Sequence, residues 1–127
     1  MDYFRVLYAL SEMYVALFLY DLNNDTYEAI KSNRFIDMWS SEYEGPRDKT
    51  LAVIKNITAD DDMEKMLAFA DISTVSERMQ NIDIASEIFE GKINGLCRAS
   101  FIVVDRNSDM SVRHVLYAVE VIRENNK

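Results

Sequence analysis

Residues 82–122 read IDIASEIFEGKINGLCRASFIVVDRNSDMSVRHVLYAVEVI. Three runs rich in β-branched and aromatic residues stand out, 82–90, 96–105 and 112–122, and such runs bounded by turn residues predict strands. A turn between Gly91 and Gly95 joins the first two runs, and the polar loop 106–111 joins the last two. Runs connected this shortly pair antiparallel, because parallel pairing needs a crossover of a dozen or more residues. The C-terminal third is therefore an antiparallel three-stranded unit.

Upstream, the texture is helical. Asn33 is placed to cap a short helix carrying Phe35, Ile36, Met38 and Trp39, and Gly45-Pro46 interrupts it. Asp48 is placed to cap the next helix, with Leu51, Ile54 and Ile57 along it. Thr58 and Asp61 form a capping-box-like start, with Asp60, Asp61 and Asp62 in the first turn, where the helix dipole favours negative charge. Met63, Met66, Leu67 and Ala70 make the buried stripe of that helix, and Thr74 with Glu77 opens a last short helix reaching Gln80. Further upstream, 14–21 is aromatic and branched, Asn23-Asn24-Asp25 reads as a turn, and Thr26–Lys31 alternates: a β-hairpin. Asp2 can cap an N-terminal helix with apolar positions Tyr3, Val6, Leu7, Leu10 and Met13. The order is helix, two strands, several helices, three strands, which predicts an α+β domain around a five-stranded antiparallel sheet.

Composition narrows the function. The 127 residues fit one domain, and 49% hydrophobic with 11% aromatic residues excludes disorder. No apolar run approaches the ~20 residues that span a bilayer, and no basic stretch precedes an apolar core at the N-terminus. A single cysteine favours a reducing compartment, so a cytoplasmic location is expected. A net charge of −8 argues against binding nucleic-acid phosphates. His114 is alone and cannot build a metal site, the Asp60–Asp62 run lacks EF-hand spacing, and no phosphate-binding glycine loop or nucleophile pair occurs. No catalytic motif is present, and the chain is not expected to be an enzyme.

Three segments carry a resemblance: ALSEMYVALFLYDLNNDTYEAI (9–30), ITADDDMEKMLAFADISTVSERM (57–79), and the pair CRASFIVV (97–104) and HVLYAVEVI (114–122). Together they resemble a PAS domain, and more narrowly the PAS-like sensor domains that precede GGDEF diguanylate cyclase domains in bacterial signalling proteins. The resemblance implies the spatial strand order 2-1-5-4-3, a domain spanning 1–127, an N-terminal helix over 1–13, a core over 14–122 and a connecting segment from 123 to 127. It also implies a homodimer and an output domain following VIRENNK (121–127), which would place the chain in cyclic di-GMP signalling. The sequence departs from the family at Thr58-Ala59, where His-Pro is usual, and at Val121-Ile122-Arg123, where Asp-Ile-Thr often links to the output; Glu120 or Arg123 would have to serve instead. No cofactor is expected. The middle helices lack a haem-ligating His, and Cys97 in LCRASF falls in a late strand rather than at the flavin-adduct position, so it reads as a small buried hydrophobe.

Strand alternation divides the sheet into two faces. Ala16, Phe18 and Tyr20 share one face, as do Cys97, Ala99, Phe101 and Val103, and Val115, Tyr117, Val119 and Val121. By the resemblance these sets form the concave face, and Phe18, Tyr20, Ala99, Phe101, Val115, Tyr117 and Val119 are the candidate ligand-binding residues for a small apolar or aromatic ligand. The alternative is that the same rings simply fill the core. The opposite face carries Leu17, Leu19, Leu116 and Ala118, and the stripe Tyr3, Val6, Leu7 and Leu10 is expected to cover it, within one protomer or from a partner. The reading is a regulatory sensor or dimerisation module. Its rivals are a ligand-free interaction module and a small cavity enzyme, the latter favoured if Asp21 and Glu120 met in one pocket.

Overall fold

A computed structural model describes residues 5–6, 13–93 and 95–123. Its sheet has five strands: β1 (Ala16–Asp21), β2 (Thr26–Lys31), β3 (Ile84–Glu90), β4 (Leu96–Arg106) and β5 (Val112–Arg123). All neighbours are antiparallel, in the order β2-β1-β5-β4-β3. The helices lie between β2 and β3 in sequence: α1 (Arg34–Ser40), α2 (Pro46–Ile57), α3 (Met63–Phe69) and α4 (Val75–Arg78). Strand order and helical insert are those that the resemblance implied.

Local chemistry sets these elements. The β1–β2 turn closes because the Asp21 carboxylate accepts the backbone N–H groups of Asn23 (3.1 Å) and Asn24 (3.2 Å), while Asp25 takes φ +52°. Asn33 caps α1 as expected, its Oδ1 accepting from the N–H groups of Phe35 and Ile36, both at 2.9 Å.

Two expected caps are replaced, and a third holds its position without a cap bond. Helix α2 starts at Pro46 behind Gly45, not at Asp48, which sits in the first turn; proline's fixed φ suits the first helical position, where its missing N–H costs nothing. Thr58 closes α2 and bridges to Gly91 instead of opening the next helix, which is entered through a 3-10 turn at Asp60–Asp62. Thr74 stands at the N-cap of α4 as expected but makes no side-chain cap bond; Asp71 caps the 3-10 turn ahead of it, accepting from the Ser73 N–H at 3.0 Å, and α4 ends at Arg78. The acidic run has a tertiary role too: the Asp62 carboxylate accepts the N–H of Glu90 at 2.7 Å and ties the start of α3 to β3.

The concave face and the helices enclose the main core, including Ile54, Met66, Val75, Phe89, Phe101 and Val115. On the convex face Leu17, Ile30 and Ala118 form a smaller buried cluster. Of the stripe expected to cover it, Val6 is helical and 41% exposed, whereas Tyr3, Leu7 and Leu10, and most of the predicted helix over 1–13, lie outside the described residues. The connecting segment was expected from 123, but β5 runs through Arg123; 124–127 lie outside the described residues. Among the described residues no helix is long and apolar enough to cross a membrane.

Candidate ligand cavity

Between the concave sheet face and helices α1 and α2 lies a cavity of about 410 Å³. Its floor is low where β1 and β5 place two smaller side chains opposite each other, Ala16 and Val119. Larger rings stand around that point: Phe18 and Tyr117 to one side, with Cys97 and Phe89 continuing the wall across β4 and β3. Ile36 and Trp39 of α1 and Val53 and Ile57 of α2 form the roof. Phe35, 50% exposed, and Ile93, 70% exposed, stand at the mouth beside Asn33 and Gly91. The Phe35 and Trp39 rings pack together at 6.2 Å, so one edge of the mouth is an aromatic pair. The volume falls within the ~300–1,000 Å³ usual for small-molecule sites, and exceeds the ~150 Å³ apolar void that takes up benzene.

The polar groups of the wall are few. The Asn33 carbonyl oxygen is engaged in capping α1. The Cys97 thiol reaches the Gly95 carbonyl at 3.5 Å, and burial pushes its pKa up to about 11, so it stays a thiol and an unreactive one. Tyr117 is 2% exposed, and its hydroxyl is buried without a hydrogen-bond partner. Tyr20 contrasts with it. The Thr50 hydroxyl donates to the Pro46 carbonyl (2.7 Å), which leaves the Tyr20 O–H to donate to Thr50 Oγ1. Burial raises both tyrosine pKa values well above the ordinary phenol range, so both remain protonated donors.

The seven candidate residues therefore separate. Phe18, Tyr117 and Val119 line the cavity. Tyr20 lines a neighbouring hollow of about 20 Å³ with Tyr27 and Thr50, room for a water molecule at most. Ala99, Phe101 and Val115 are fully buried and lie off the cavity wall. Phe101 packs on Phe69 at 5.2 Å and Tyr117 at 4.9 Å, because α3 sits over that end of the sheet and takes the volume. For these three the plain-core alternative holds. Of the roof residues, Ile36, Trp39 and Ile57 were legible only as apolar helix positions and Val53 was not singled out; nothing in their spacing says that α1 and α2 stand off the sheet.

Other polar residues do not join this site. His114 Nδ1 lies 2.8 Å from Asp105 and Nε2 lies 3.6 Å from Asp21, a clasp between β5, β4 and β1. Glu120 pairs with Arg98 at 2.6 Å. Asp21 lies opposite His114, six positions along β5 from Glu120, so the two carboxylates do not share a pocket.

No protein-family model and no curated protein matches this sequence. A solved structure described as a sensory box sensor histidine kinase from Vibrio cholerae is similar over 95% of this chain and 92% of its own, at 14% identity and a TM-score of 0.46.

Proposed function

We propose that this chain is a PAS-type sensor module that takes up a small apolar ligand and passes its bound state to an output domain through β5. One observation carries the reading: the cavity of about 410 Å³ rests on Tyr117 and Val119 of β5, the strand that leads toward the C-terminus. A ligand that fits one disposition of β5 better than another shifts the equilibrium between them, by no more than its differential affinity. The resemblance to GGDEF-associated domains names a diguanylate cyclase as the output, and the single cysteine favours the cytoplasm as the location. Exposed Ile84 (61%), Ile88 (44%) and Ile122 (42%) lie on the convex face, and support pairing of two copies there.

Trp39, the chain's single tryptophan, stands in the cavity roof and reports on occupancy. A thermal-shift screen of neutral apolar compounds, followed by Trp39 emission titrations, should yield ligands that raise the melting midpoint and perturb emission. Ala16→Phe, which fills the floor, should abolish both responses. The reading fails if no compound acts, or if Ala16→Phe responds like the parent.

A further inference from the structure

The cavity wall sets the class of ligand, on the assumption that the cavity is a binding site as proposed above. Among the described residues its lining contains no Lys, Arg, His, Asp or Glu. Arg34 stands over the Phe35 ring at the mouth, 5.1 Å from its centre, and does not belong to the lining. The Tyr117 hydroxyl oxygen has no surface open to water, so Tyr117 meets the cavity with its other atoms, and the Cys97 thiol is already bonded to the Gly95 carbonyl. A charged ligand would leave water without a counter-charge, a large penalty in an apolar enclosure.

Size is set at the floor. Ala16 and Val119 are paired across β1 and β5, both are buried, and both line the cavity. The next inward-facing pair along the same two strands, Phe18 and Tyr117, carries rings. Strands β1 and β5 are each hydrogen-bonded on both sides, so the backbone beneath the floor is held in place and side-chain length decides the depth. An alanine side chain ends at its Cβ, and the space above it is what a longer residue would fill. We infer that the cavity admits neutral ligands only, and that Ala16 and Val119 are the residues that determine their size.

Four probes test both halves: naphthalene, 2-ethylnaphthalene, 2-acetylnaphthalene and 2-naphthoate, titrated by calorimetry into the parent, Ala16→Val and Val119→Ala. The last two probes are close in shape and differ in charge, and the carboxylate should bind the parent at least tenfold more weakly than the ketone. The ratio of 2-ethylnaphthalene to naphthalene affinity reads the floor, since one buried methylene is worth roughly fourfold. That ratio should rise at least threefold in Val119→Ala, which deepens the floor, and fall at least threefold in Ala16→Val, which raises it. Each variant is compared with its own naphthalene affinity, so either one alone decides the point. Naphthoate binding as tightly as the ketone overturns the neutral class, and an unchanged ratio overturns the floor assignment, while the cavity reading survives both. Binding of none of the four to the parent overturns that reading as well.

Discussion

Replacing Phe101 by Ala and, separately, Phe18 by Ala makes the same chemical change at two differently surrounded positions. Phe101 has no exposed surface, packs on Phe69 and Tyr117, and lies 5.8 Å below the Arg78 guanidinium. Its truncation loses burial, ring pairing and a cation–π contact, and opens a void, for a cost of roughly 3–5 kcal/mol. With an unfolding entropy near 2.1 cal/mol/K per residue, a domain of this size loses roughly 11–19 °C in Tm. Phe18 also touches Tyr20 and Tyr27, at 6.4 and 5.9 Å, but one side borders the cavity and has no atoms to lose contact with. Its truncation should cost about 2–3 kcal/mol, or roughly 7–11 °C. Thermal unfolding of both purified variants by circular dichroism gives the comparison. If Phe18→Ala destabilises as much as Phe101→Ala, the wall beside Phe18 is packed and the cavity argument is refuted.

Tyr117→Phe should stabilise the ligand-free protein by about 1 kcal/mol, because a buried unmatched hydroxyl is removed from an unchanged ring; calorimetric Tm reads this, and a fall of several degrees would mean that the hydroxyl is bonded. Asp71 is held down to about 2 by its bond to Arg47, with help from Ser73. Because folding lowers this pKa, the associated stability is present above the ordinary carboxylate range and is lost as pH falls toward 2. Asp71→Asn should therefore flatten part of the decline in Tm between pH 4 and 2, and identical slopes in both proteins would contradict the assignment. Gly45 has φ +81° and ψ 152°, with no atom within 4 Å of a built Cβ. Gly45→Ala should thus cost about 1–3 kcal/mol through backbone conformation alone, as read by urea unfolding.

The sheet was legible because its signals are local and redundant. Each strand carries its own alternation, and the short links 91–95 and 106–111 leave antiparallel pairing as the sole option. The order in which β1 meets β5 was not local, and came from the resemblance. Caps were read less well. Thr58 satisfies the capping pattern in sequence, but a tertiary bridge to Gly91 settles its geometry instead, and Thr74 takes the N-cap position without a side-chain cap bond. At the site, alternation placed the concave-face residues correctly and could not say which of them touch empty space. Phe18 and Phe101 look alike in sequence; what separates them is where α3 comes down on the sheet and where α1 and α2 stand away from it. That is a property of helix placement, and no single residue encodes it.

The central claim is that the space between Ala16, Val119 and the α1–α2 roof receives a neutral small molecule. A methyl and amide NMR titration of the isotopically labelled protein with 2-acetylnaphthalene tests it most directly. The account predicts saturable shifts concentrated at Val15, Ala16, Ile36, Val53, Ile57 and Val119, with Val103 and Val112 unmoved. Saturable shifts centred elsewhere, or none up to the solubility limit of the probe, would contradict it.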